Sequence, residues 1–198
     1  MKSDIITVTG NGRKFEAALA QADAVATYKR LSPKSSLQLH LLAEEMMCMM
    51  RSIAGASEGE FWIEEKGDNY SLHLLVFKRL TEEKREQLLS ASSSGKNEAA
   101  RGFLGKLRSF FDVGAEDVAL SHSPLLTGSY DGDFSTMQSW EWSMMEYRNR
   151  LSNLQSQDPQ AQEAWDELEK SVIANVADEI KVSIKGDTAE LIVFKHMQ

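Results

Sequence analysis

Hydrophobic positions change period several times along this chain, and the changes outline its elements. Residues 4–9 (DIITVT) are a short β-branched run closed by Gly10-Asn11-Gly12, which predicts a strand and a turn. Over residues 14–31 the text turns alanine-rich, with Phe15, Leu19, Ala22, Ala26 and Leu31 near helical spacing. Ser32-Pro33 offers a hydroxyl cap and then proline at the first helical position, predicting a second helix to about residue 54, with Gly55 as its stop. Its apolar stripe is Leu39, Leu42, Met46, Met49 and Ile53, widened by Leu41 and Met50.

A hairpin is expected next. Phe61-Trp62-Ile63 and residues 72–77 are strand-like runs on either side of Lys66-Gly67-Asp68-Asn69. Helices are expected over 81–91 and 97–111, separated by the flexible-looking SASSSG tip at 90–95, and 114–133 reads mainly as loop. Residues 135–154 read as one long helix, with Trp140, Met144, Tyr147, Leu151 and Leu154 on a single stripe. Asp158-Pro159 caps a further helix through Trp165, Leu168, Val172 and Val176. A second hairpin closes the chain, 179–184 with 189–194 around Lys185-Gly186-Asp187-Thr188. Hairpin strands with several helices and no regular βαβ alternation predict an α+β fold: a two-layer sandwich of a mixed, mostly antiparallel sheet with helices on one face.

Composition narrows the class. The 198 residues are 42% hydrophobic and 26% charged, which is ordinary for a packed domain and excludes a disordered or collagenous chain. A single cysteine, Cys48, allows no internal disulfide, and the opening MKSDIITVTG has no apolar leader segment, so a cytoplasmic location is expected. With 22 basic and 30 acidic residues the formal charge is −8, a sign that repels phosphate backbones and anionic lipid. Neither nucleic acid nor membrane is therefore expected as a partner.

Most motifs fail on inspection. Ser94-Gly95-Lys96-Asn97 has the Gly-Lys pair of a phosphate-binding loop, but Ser90 and Asn97 stand where glycine and Ser/Thr are needed. Asp131-Gly132-Asp133 hints at a calcium loop, yet Thr136 replaces its glycine and Trp142 its bidentate glutamate. His40, His73, His122 and His196 lack metal-ligand spacing, so no metal site is expected. Ser121-His122-Ser123 holds catalytic residue types, but triad members converge in space rather than in sequence.

Six of nine methionines fall in two patches, Met46-Met47-Cys48-Met49-Met50 and Met144-Met145, which reads either as a pliable partner groove or as helix core. The apolar stripe favours core for the first. The second patch, residues 140–147, is apolar around more than one helix face. Trp140, Trp142, Met144, Met145 and Tyr147 are accordingly the candidate partner-binding residues, with self-association as the other use.

Two stretches carry a family resemblance. Leu39-His40-Leu41-Leu42-Ala43-Glu44-Glu45-Met46-Met47-Cys48-Met49 resembles the helix of the Bergerat-fold ATPases in which a Glu precedes a Mg-binding Asn by four residues. Residues 172–182, followed by Gly186-Asp187-Thr188, resemble the closing helix, Asp-Glu junction and Gly-x-Thr hairpin of the anti-sigma-factor and histidine-kinase-like branch. The likeness covers residues 4–80 and 165–195, so that 1–198 reads as one ATPase-like α+β domain with 81–164 as a helical insertion.

Carried across residue by residue, the resemblance implies a degenerate site. Glu45 takes the general-base position, but the Mg-binding Asn falls on Met49, whose thioether is a poor ligand for a hard cation. The adenine-binding Asp falls on Lys78, which has donors only, and the following glycine on Leu80; Thr188 is retained. The expectation is a regulatory protein-binding pseudoenzyme with no cofactor. The alternative is an active serine-kinase-like anti-sigma regulator that uses Mg-ATP and Glu45 at an unorthodox site.

Overall fold

The computed structural model describes residues 1–52, 58–77, 139–156, 158–185 and 188–197. The expected helices at 81–91 and 97–111, the loop at 114–133, Lys78 and Leu80 all lie outside the described residues.

Strand β1 (Ile6–Thr9) leads to α1 (Phe15–Tyr28) and α2 (Pro33–Ser52), then to the hairpin of β2 (Glu58–Lys66) and β3 (Asn69–Phe77). The second half runs from β4 (Ser139–Ser143) through α3 (Met144–Leu154), α4 (Pro159–Lys170) and α5 (Val172–Val176) to the hairpin of β5 (Glu179–Lys185) and β6 (Thr188–His196). The six strands form one open sheet in the order β1-β2-β3-β6-β5-β4. This is an α+β fold. Every ladder among the described strands is antiparallel, in line with the mostly antiparallel sheet expected.

One face of the sheet carries the core. Alternate positions Phe61, Ile63, Tyr70, Leu72, Leu74, Val76, Ile180, Val182, Ala189, Leu191 and Val193 are buried in a single cluster with residues of all five described helices. The methionine run of α2 is core as the stripe implies, since Met46, Met47, Met49 and Met50 are all buried.

Local chemistry sets the boundaries. The Ser32 hydroxyl accepts from Ser35 N–H at 3.2 Å, so α2 starts where Ser32-Pro33 places it. Helix α1 ends three residues short of the expected Leu31. Arg30 turns left-handed (φ 52°), its N–H bonds Thr27 O at 3.1 Å, and Leu31 N–H bonds Ala26 O at 3.0 Å. Arginine here occupies a position that glycine fills without strain.

Two expectations for the second half are corrected. Residues 139–143 are a strand on β5, not the start of a helix, because Ser139-Trp140-Glu141-Trp142-Ser143 alternates with period two. The helix begins only where Ser143 caps it, its hydroxyl accepting from Glu146 N–H at 3.4 Å. Strand β4 joins the sheet through β5, and Tyr147, Leu151, Ala161 and Ala164 are buried in the core cluster. The single helix expected from Asp158 to Val176 is two, broken at buried Ser171, whose hydroxyl accepts from Ala174 N–H at 3.4 Å to start α5.

Two substitutions test this packing. A methyl group on Gly59 would stand 2.8 Å from the Leu75 carbonyl oxygen and 3.4 Å from Met50 Cε. Gly59→Ala is expected to cost about 1–3 kcal/mol as overpacking, read as a lowered urea midpoint; an unchanged midpoint would show that the β2–β3 hairpin yields. Arg30→Gly is expected to add about 0.5–1 kcal/mol by relieving the left-handed backbone, and a loss in the same titration would contradict that account.

Candidate functional site

Helix α2 carries the residues on which the resemblance turns. It packs against α1, α5 and β3, presenting Leu39, Leu42, Ala43, Met46, Met49 and Met50 to the core. Met49 is only 5% exposed and belongs to that packing, so the position of the metal-binding Asn faces the interior. Glu45 is half-buried beside it. Loss of water around its carboxyl pushes the pKa above the ordinary 4.5, and the adjacent Glu44 charge adds to the rise. Cys48 is exposed, and its thiol is likewise pushed up, first by desolvation and then by Glu45 and Glu44. Among the described residues no group of three or more His, Cys, Asp or Glu could hold a metal ion.

The other expected site residues divide by depth. Thr188 sits at the start of β6, where its hydroxyl donates to Lys185 O at 2.8 Å across the hairpin end. Glu45 and Thr188 therefore stand on separate elements, with nothing linking them among the described contacts.

Burial divides the aromatic and methionine patch. Trp142 (8% exposed), Met144 and Tyr147 are core residues, with the Trp142 and Tyr147 rings 5.7 Å apart. Tyr147 is desolvated enough to push its hydroxyl pKa up to about 12. Met145, 57% exposed, points outward, and its N–H donates to Glu179 Oε1 at 3.2 Å. The side chain of Trp140 lies outside the described residues.

A different surface comes together on the face of the sheet away from the core. Trp62 on β2 stacks on His73 of β3, with centroids 4.7 Å apart and planes 9° from parallel. The Trp62 indole N–H donates to Glu64 Oε1 at 2.9 Å, and Lys2 Nζ lies 4.6 Å from the indole centroid and 3.2 Å from Glu64. The Trp62 bond and then Lys2 hold the Glu64 carboxyl below its ordinary range. His73 Nδ1 lies 3.1 Å from Glu190 Oε1 on β6, and its Nε2 3.1 Å from Ser71 Oγ. Around this cluster lie Leu75, Phe77, Ile192 and Phe194, none of them part of the core. Lys181 of β5 reaches over the Phe194 ring at 5.7 Å.

Sequence reasoning missed this face. Its only local signal is the alternation within the two hairpins, and the Trp62–His73–Ile192–Lys181 row exists only once four strands are in register.

No family model matches the chain, and neither curated proteins nor solved structures yield a similar one. Among the described residues, no helix is long and apolar enough to cross a membrane.

The Glu45 carboxyl supplies a test of the α2 environment. Its raised pKa means that the ionised form is disfavoured in the folded state, so ionised Glu45 lowers stability above 4.5, and the penalty disappears as pH falls below that value. Glu45→Gln is therefore expected to raise the urea midpoint near neutral pH and to leave it unchanged below pH 4.5. A midpoint lowered near neutrality would show that the carboxylate has a stabilising partner.

Proposed function

We propose that this chain is a regulatory protein-binding domain that does not use Mg-ATP in the manner of the ATPases its sequence resembles. The observation that carries this reading is the burial of Met49: where that family holds its metal, this chain has a thioether packed into its core. A cation bound there would need oxygen ligands that α2 does not offer at that position. Among the described residues, a surface that suits a partner is the outward sheet face, where Leu75, Phe77, Ile192 and Phe194 lie among charged side chains and outside the core. Apolar side chains set among polar ones are a usual composition for a protein-binding patch.

A second reading keeps Glu45 as a base in an ATP-dependent serine-kinase-like regulator. Its support is the raised pKa of a half-buried carboxyl, the environment a general base requires. Calorimetric titration of the full chain with Mg-ATP separates the two. The expected outcome is no saturable binding into the millimolar range. Saturable heat at micromolar affinity, lost in Glu45→Gln, would replace the first reading with the second.

A further inference from the structure

One run of hydrogen bonds on the outward face joins a hydroxyl, an imidazole and a carboxylate. Ser71 and His73 are alternate residues of β3, so their side chains share that face, and Glu190 stands on the neighbouring strand β6. Ser71 Oγ lies 3.1 Å from His73 Nε2, and His73 Nδ1 lies 3.1 Å from Glu190 Oε1. A carboxylate accepts and does not donate, so the Glu190 bond places the ring proton on Nδ1. In that tautomer Nε2 is the acceptor, and the Ser71 hydroxyl donates to it. His40 and His196 are bonded differently, to Asp23 and Asn69, with no hydroxyl in either pair.

The imidazole is held from several sides. Trp62 covers one ring face at 4.7 Å, and Glu64 and Lys2 hold the indole in turn. The His73 side chain is only 12% exposed, while Ser71 at the end of the run is half-buried. A hydroxyl bonded to a base that a third group orients is the arrangement of an activated serine. The geometry points to a serine acyl-transfer site on this face, with Ser71 as nucleophile, His73 as general base and Glu190 as the residue that positions the base. This assignment adds an activity to the face and does not depend on its binding a partner.

The neighbours of Ser71 define the substrate class. Glu64 stands opposite it on β2, Phe194 opposite it on β6, and Ile192 diagonally beside it. Phe194 and Ile192 offer an apolar wall, and Glu64 repels a negative charge. The substrate is therefore a neutral ester with an apolar acyl chain. Strand β3 is paired on both sides, so its backbone N–H groups are engaged in the ladders and build no oxyanion hole. Lys181, reaching over the Phe194 ring at 5.7 Å, brings a cation to that side. With no backbone donors of β3 aimed at the oxyanion, turnover is slow.

In the first step Ser71 Oγ attacks the ester carbonyl carbon while its proton passes to His73 Nε2. The Glu190 carboxylate stabilises the imidazolium that forms. The tetrahedral intermediate collapses, its bond to the leaving oxygen breaks, and the departing alcohol takes the proton from Nε2. Water then attacks the acyl group on Ser71 and gives a proton to Nε2. The acyl bond to Oγ breaks, Oγ recovers that proton, and the carboxylic acid leaves.

Diisopropyl fluorophosphate and p-nitrophenyl butyrate, each applied to the full chain, test the assignment. The first is expected to leave a diisopropylphosphoryl group on Ser71, fluoride departing as the P–O bond forms, as read by intact mass and peptide mapping. The second is expected to be hydrolysed faster than in buffer alone. Ser71→Ala should abolish both reactions. His73→Phe, which keeps a ring against Trp62, should slow both about a hundredfold or more. Glu190→Gln should lower kcat about tenfold or more with KM unchanged, and Glu190→Asp should restore part of the loss. A bond that serves only the fold would leave kcat as it was. Circular dichroism checks that each variant is folded, and His73→Gln replaces His73→Phe if the latter is not. An unlabelled Ser71, an adduct only at another residue, or hydrolysis that survives Ser71→Ala overturns the assignment. The Mg-ATP titration above reads the regulatory proposal separately.

Discussion

The β3–β6 ladder joins strands more than a hundred positions apart in sequence, and the rest of the sheet is built outward from it. Residues 69–77 pair antiparallel with 188–196, with Leu72 opposite Val193, Leu74 opposite Leu191 and Val76 opposite Ala189. Those pairs hold the centre of the core. A slip of one residue at this ladder would turn His73, Leu75 and Ile192 inward and expose the leucines and valines. The register thus decides both what is buried and what the opposite face displays. The hairpins on either side set their own registers through tight turns, but only the central ladder sets one hairpin against the other.

Several elements were readable because their cause is local. Ser32-Pro33 starts α2 through one hydroxyl and one ring, and the Lys66-Gly67-Asp68-Asn69 turn needs only a positive φ at Gly67. Strand β4 was not readable, because Trp140, Met144, Tyr147, Leu151 and Leu154 fit helical spacing as one stripe. The competing signal was period two over 139–143, and pairing with β5 decided between them. Met49 was assigned correctly to a helix stripe, and its burial follows from that spacing. The outward face was illegible for the opposite reason: no window of sequence contains Trp62, His73, Ile192 and Lys181 together.

Carboxylates hold the junctions of the second half. Glu179 accepts from Ile180 N–H at 2.8 Å and from Met145 N–H at 3.2 Å, placing a negative charge at the N-terminal end of α3. Beside it Asp178 accepts from His196 N–H at 2.5 Å and Lys195 Nζ at 2.7 Å. Desolvation works against ionised Asp178, but those bonds and the Lys195 charge together hold its pKa below the ordinary value. The Asp-Glu pair that resembles a family junction thus acts here as two anchors, one fixing the end of β6 and the other the start of α3.

The order of the sheet also reads the same from both margins. Each half starts with an edge strand, passes through helices packed on the core face, and ends with a hairpin whose second strand meets its counterpart at the seam. A half-turn about the sheet normal, through the His73–Ile192 pair at the middle of the ladder, carries one path onto the other. The described residues trace one supersecondary path twice. On that plan each half, separated from the other, would have a raw hairpin edge lined by β3 or β6, and the natural cover for that edge is its own pseudo-symmetric twin.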